Sequence, residues 1–173
     1  VVRAPDLDVE AARDWTLDSL TRLARRGFAI AGFPAEYGGR GTQADSVAHF
    51  EMLALGDLSL AIKGGVQHGL YGGAVTNLGT EFHHRTFLPR AITVEDGGCF
   101  AMTELGHGSD VQSLETLITF LPADDAFEVH SPTPSAAKAY IGNAGRDGRF
   151  AAVFGQLVVH GVHQGVHCIV VPI

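Results

Sequence analysis

The spacing of apolar residues changes period once along this chain, near residue 97, and this switch limits the possible folds more than any other feature. Before it the spacing is helical. Leu7, Val9, Ala12, Trp15 or Thr16, Leu20 and Leu23 share one face, Arg13, Asp14, Asp18 and Arg22 the other, and Gly27 ends the run. A turn-rich link over 28–42, with a Pro and several Gly, follows. Thr42 or Asp45 then caps a second helix that carries Val47, Phe50, Met52, Leu53 and Leu55 and breaks at Gly56-Asp57. A third helix is expected over 58–78 and a fourth over 80–94. The third holds Gly64, Gly65, Gly69, Gly72 and Gly73. Each glycine costs about 1 kcal/mol against Ala inside a helix, so another helix or a ligand must approach closely there.

After Gly98 the period moves towards two. Strands are expected over 99–103, 114–120, 127–130, 151–159 and 167–172, bounded by Gly, Pro and Asp turns. The fold class is therefore α+β and multidomain. An all-α helical domain over residues 1–97 precedes the beginning of an antiparallel, β-barrel-like domain over residues 98–173. With no Met at the start and a strand running to Ile173, the expectation is a piece of a longer protein, cut within the β domain.

With 46% hydrophobic and 18% charged residues, 173 residues can bury a real core. The net charge of −7 argues against nucleic acid as a partner, because a phosphate backbone selects clustered Lys and Arg. No stretch is long and apolar enough for membrane insertion. Cys99 and Cys168 stand alone, and no secretion signal is visible, which fits a reducing compartment such as the cytoplasm. His160, His163 and His167 lie across an expected hairpin without acidic or Cys ligands at zinc spacing, so no metal is expected.

The densest chemical signal is FAMTELGHGSD at Phe100–Asp110. Gly106 and Gly108 let backbone N–H groups turn towards an anion just past a strand, and Thr103 and Ser109 add small hydroxyls. By spacing alone the first reading of such a turn is a plain hairpin. It is neither a dinucleotide-binding Gly motif with its βαβ unit nor a P-loop. Lys138, Arg146 and Arg149 flank Gly142 and either face a phosphate or stand in solvent.

The string CFAMTELGHGSDVQSLET resembles the flavin-binding signature of the acyl-CoA oxidase and acyl-CoA dehydrogenase superfamily. FPAEYGG at 33–39, HGLYGGAVTNLGTEFHH at 68–84 and SPTPSAAKAYIGNAG at 131–145 extend the resemblance over most of the chain. It implies FAD as cofactor and an acyl-CoA thioester as substrate, in a homo-oligomer (dimer or tetramer). The implied reaction is α,β-dehydrogenation to the trans-2-enoyl-CoA, the opening step of fatty-acid β-oxidation. Met102, Thr103 and Gly108 would lie along the flavin, with Thr103 on its pyrimidine side. Ser109 would meet both the FAD diphosphate and the acyl-CoA. Ile141, Gly142 and Asn143 would approach the central ring and N5, the atom that takes the hydride. His107 is the one histidine expected near the cofactor. Glu104 is expected to be a structural carboxylate, and no catalytic base is assigned in these residues.

Gly142 and Leu105 point to the oxidase branch, in which O2 is the acceptor, because dehydrogenases typically carry Thr and Pro at these steps. Ala139-Tyr140 departs from the Trp pair common in oxidases. Two other readings follow from the same residues. One is a dehydrogenase passing electrons to an electron-transfer flavoprotein; the other is a non-catalytic homologue serving as an interaction module.

Overall fold

The computed structural model describes residues 3–28 and 30–173; Val1, Val2 and Ala29, the last within the expected 28–42 link, lie outside the described residues. Helix α1 (Val9–Arg25) starts where Asp8 accepts a hydrogen bond from the Ala11 amide at 2.8 Å. Its buried stripe is Thr16, Leu20 and Ala24, whereas Leu7 and Val9 stay exposed. Helix α2 (Gln43–Gly56) buries only Leu53, leaving Val47, Phe50, Met52 and Leu55 exposed.

The expected third helix spans the predicted 58–78 but is not uniform. It runs as α3 (Leu58–Gly64), a π-helical stretch (Gly65–Gly72) and α4 (Gly73–Leu78), all with helical backbone angles at the joints. The π-helical register places the glycines in two groups. A Cβ at Gly72 would lie 2.7 Å from the Phe33 ring and one at Gly65 3.1 Å from the Phe50 ring, so close packing explains these two. Gly69 faces open space. Helix α5 (Glu81–Ile92) packs Leu88, Ala91 and Ile92 onto the π-helical stretch and the sheet.

Five strands follow: β1 (Gly98–Ala101), β2 (Leu117–Leu121), β3 (Ala126–His130), β4 (Phe150–Val159) and β5 (Val162–Pro172). The antiparallel expectation holds for β2–β3 and for β4–β5, whose tight turn places His160 at φ 50° and Gly161 at φ 76°. It fails elsewhere, because β1 and β2 both run parallel to β4. The physical reason is the length of the connections. β5 takes one edge of β4 along its whole length, and β1 and β2 lie end to end on the other, against 150–153 and 156–158. The segment 102–116 leaves that edge and rejoins it without reversing, and the long 131–149 connection brings the chain back to the start. A sheet of this order, β1-β4-β2-β3 with β5 on β4, is mixed and does not close into a barrel among the described strands. The largest core cluster joins both parts of the chain, with Phe33, Tyr71, Val75 and Leu88 from the helical segments against Ala152 and Phe154 of β4. No described helix is long and apolar enough to cross a membrane.

Candidate functional site

The gap between β1 and β2 on the edge of β4 is filled by two loops lying side by side. The segment 103–106 pairs with 135–139 through Ala139 N–H to Thr103 O (3.1 Å), Leu105 N–H to Ala137 O (3.0 Å) and Gly106 N–H to Ser135 O (2.8 Å). The two stretches that the sequence singles out are thus brought together. Gly106 must be glycine, since a Cβ would fall 2.8 Å from that of Ser135. Met102 and Thr103 are half-buried at the end of β1, and Gly108 and Ser109 are exposed on the following turn.

Beneath the loops sits a buried ion pair. The Glu104 side chain is fully buried and accepts from the amides of Glu115 (2.8 Å) and Thr116 (3.0 Å) and from Lys138 Nζ (2.9 Å). Burial alone would raise its pKa, but these donors outweigh burial and hold it at about 2. Lys138 Nζ also donates to the carbonyls of Met102 (3.0 Å) and Phe154 (2.7 Å), so one ammonium joins the 102–104 loop, the 138–143 loop and β4. Glu104 is the structural carboxylate expected of it, and Lys138 belongs to neither alternative read from sequence, phosphate or solvent. Arg146 is likewise engaged, by Glu10 and Asp14 of α1 and by Asp147.

A second carboxylate locks the outer turn. Glu115 accepts from Ser135 (2.9 Å) and from Thr133, and its Oε1 stands 2.9 Å from His107 Nε2. Thr133, with His107 and Ser135, holds this carboxyl below its ordinary range. His107 is therefore committed to protein through this nitrogen. No sequence pattern marks Glu115.

Ile141, Gly142 and Asn143 form the facing loop. The Ile141 side chain packs against the strand cluster of Cys99, Ala101, Ala151 and Val153. Asn143 sits at φ 69° and donates from Nδ2 to Gly98 O (2.8 Å), while its Oδ1 accepts from Lys63 Nζ (2.9 Å). Lys63 also pairs with Asp147 at 2.6 Å. Both ends of the Asn143 side chain are thus used internally, and what residues 141–143 can offer a ligand is mainly backbone. Lys63 is a residue that the sequence reading missed. The available signal was a lone cation in the small, apolar 58–78 stretch.

Gly142 is not at positive φ; its constraint is space, since a Cβ there would lie 2.8 Å from Val66 Cγ2. Beside it Tyr140, at φ 60°, is 90% exposed. The exposed Tyr140 ring is a surface on which a flat ring system can stack, and a glycine-containing turn such as that at Gly108 and Ser109 is a form of backbone that can meet a diphosphate.

Next to this loop two hollows meet. A groove of about 750 Å³ runs between α2 and the π-helical stretch, walled by Val47, Phe50, Ile62, Val66 and Leu70. A cleft of about 470 Å³ at Gly142 shares Ile62 and Val66 with it. Two buried nitrogens without a described partner, His49 Nδ1 and His68 Nδ1, belong to residues lining the groove. His68 Nε2 lies 3.1 Å from Ile92 O, so it carries the proton and Nδ1 is left as an acceptor. Burial, against the opposing Ile92 contact, lowers the His68 pKa to about 4, so the ring is neutral near pH 7.

Residues 2–95 match the family of the acyl-CoA dehydrogenase N-terminal domain. An Arabidopsis thaliana protein named acyl-coenzyme A oxidase 2, peroxisomal, is 47% identical over 68% of this chain and 18% of its own length. From the same plant, acyl-coenzyme A oxidase 3, peroxisomal, is 36% identical over 98% of this chain and 25% of its own. The crystal structure of acyl-CoA oxidase1 from Yarrowia lipolytica superposes with a TM-score of 0.83 at 28% identity, covering 99% of this chain and 25% of that one. The chain spans about a quarter or less of the length of these relatives. With the family match over more than half of its residues, the chain belongs to the acyl-CoA oxidase and dehydrogenase superfamily.

Proposed function

We propose that this chain contributes flavin-holding segments to an FAD-dependent enzyme that oxidises acyl-CoA thioesters to trans-2-enoyl-CoA, with O2 as acceptor. The observation that carries the reading is the pairing of the 103–106 and 135–139 loops over the Glu104–Lys138 ion pair. It ties the loop that carries Thr103 to the one that leads through Tyr140 into residues 141–143. Bound there, FAD would supply the hydride acceptor. The chain's residues do the holding: Thr103 and Met102 along the ring edge, the amides near Gly108 and Ser109 at the diphosphate, and the backbone of 141–143 beside the central ring. The apolar groove that meets the cleft at Ile62 and Val66 suits an acyl chain excluded from water. Glu104 does not act as the base for the α proton, because its carboxylate is buried and saturated with donors. An oligomer and, for a eukaryotic source, a peroxisomal location belong to the same proposal; the two Arabidopsis relatives are peroxisomal by name.

The test uses a protein of the relatives' full length. It should be yellow with flavin and release hydrogen peroxide when given acyl-CoA. Reduction without peroxide, together with turnover on an artificial electron acceptor, would favour the dehydrogenase reading, and a colourless protein would favour the non-catalytic one. Thr103→Val keeps the shape and removes one hydroxyl. It should weaken FAD retention by roughly 5- to 150-fold, equivalent to losing about 1–3 kcal/mol. Unchanged flavin affinity by titration would remove Thr103 from the site.

A further inference from the structure

We infer that Val66 and Gly142 form one steric unit, in which the helix rather than the loop builds the wall between groove and cleft, and that Val66 sets the access of dioxygen-sized molecules to the flavin-facing loop. The inference rests on the proposed flavin site for its chemical meaning, but its geometry stands without it.

Two methyl groups of Val66 occupy the volume that a side chain at 142 would take: Cγ2 at 2.8 Å and Cγ1 at 3.1 Å from an ideal Cβ. Both distances are below ordinary van der Waals contact, so one partner must yield. Val66 yields poorly. It is β-branched and sits in a continuous helical backbone, where one χ1 rotamer dominates. The loop yields poorly as well, because Asn143 next to Gly142 is pinned on three sides, by Gly98 O, Lys63 Nζ and its own carbonyl accepting from Gly148 N–H at 2.8 Å. Glycine at 142 therefore does not leave an open hole; the Val66 methyls fill it from across the cleft. The same side chain lines both hollows. Shortening it is the change that opens the groove to Gly142 without touching the loop, whereas a longer, unbranched side chain there narrows the passage.

Two measurements separate the inference from the reading beneath it. The first needs no flavin: a thermal double-mutant cycle on this chain with Val66→Ala, Gly142→Thr and the milder Gly142→Ala. In the parent background the substitutions at 142 should lower Tm by about 2–10 °C. In the Val66→Ala background the drop should be less than half as large. Additive effects would overturn the steric unit. The second uses the flavin-loaded, full-length protein, reduced by acyl-CoA and mixed with oxygenated buffer. Val66→Ala should reoxidise several-fold faster than the parent and Val66→Leu more slowly, each followed from the fully reduced state so that any change in acyl-CoA binding or in the rate of reduction does not enter the comparison. Equal reoxidation rates in all three would overturn the access role. A protein that binds no flavin or is not reduced would sink the proposed function instead, and the cycle on the flavin-free chain would still decide the steric unit.

Discussion

Replacing Glu104 by Gln should destabilise this chain by about 3 kcal/mol at neutral pH, and the deficit should shrink as the pH falls from about 5 towards 2. The magnitude follows from the ionised carboxylate. Held at about 2 in the folded chain against an ordinary value of 4.5, the group binds its proton far more weakly when folded. Each unit of difference corresponds to about 1.4 kcal/mol. The sign follows from the direction: a depressed folded pKa contributes stability that is fully present above the unfolded value and is lost as the pH drops through the folded one. In Glu104→Gln only one of the Glu115 and Thr116 N–H groups keeps an oxygen, because they donate to different carboxylate oxygens; the amide NH2 faces the other, and Lys138 is left as an unbalanced buried charge. Burial already pulls the Lys138 pKa down against the opposing pull of Glu104, so losing Glu104 favours the neutral amine. Urea unfolding of parent and variant at several pH values between 2 and 7 measures this. A stability difference that stays constant down to pH 2 would mean that the Glu104 charge is not what holds the loops.

The consequence reaches the site through Thr103 and Ala139, whose backbone pairing lies over the ion pair. Slower refolding or lower melting alone would show only a structural residue. A positioning role also predicts a changed flavin absorption envelope in the full-length protein, because the 102–104 and 138–143 loops would no longer be held at a fixed spacing.

Much of this arrangement was legible in the residues, for identifiable reasons. Helix ends at Gly27, at Gly56-Asp57 and before Thr80 are local events, set by backbone freedom and capping, and the structure places them within a few residues of expectation. The five strands appear where period two and turn residues put them, although β5 starts earlier, at Val162. Strand direction was not legible. Period two records which face a residue takes, but not which neighbour it meets, and the partners of β4 lie far away in sequence. The site divides the same way. Gly106, Thr103 and Gly142 announce themselves through residue type in a short string. Glu115, Lys63 and Val66 act through contacts made across long stretches of chain, and only the fold reveals them. Residue type alone marks Gly142, whereas the structure shows that the volume of a side chain there is filled from a helix by Val66.

Gln67→Leu should cost about 3 kcal/mol or more and lower Tm by roughly 6–12 °C. Gln67 is 1% exposed and stands where helices give way to strands. Its Nε2 donates to Ala91 O at 3.0 Å and Asp96 O at 2.8 Å, while its Oε1 accepts from Gly98 N–H at 2.8 Å. One amide thus satisfies the end of α5, the turn after it and the first residue of β1. Leucine matches its volume closely but can pair with none of the three, and each buried backbone group left unpaired costs on the order of 1–3 kcal/mol. Relaxation is blocked nearby, because a Cβ at Gly98 would lie 1.9 Å from the fully buried Tyr71 ring, so β1 cannot slide towards the helix. Gln67→Glu is the informative companion: it keeps the acceptor for Gly98 but sets a buried carboxylate oxygen against the Ala91 and Asp96 carbonyls, so near neutral pH it should cost at least as much as Gln67→Leu and recover in part on acidification, when the protonated carboxyl can donate to one of them. Hydrogen exchange supplies the local readout, with protection at the Gly98 amide lost first in Gln67→Leu. Because β1 runs directly into Met102 and Thr103, loosening this junction should also broaden the amide signals of the 103–106 loop. A Gln67→Leu chain within about 1 kcal/mol of the parent would show that water or neighbouring backbone takes over all three partners, and that the junction is not held by this side chain.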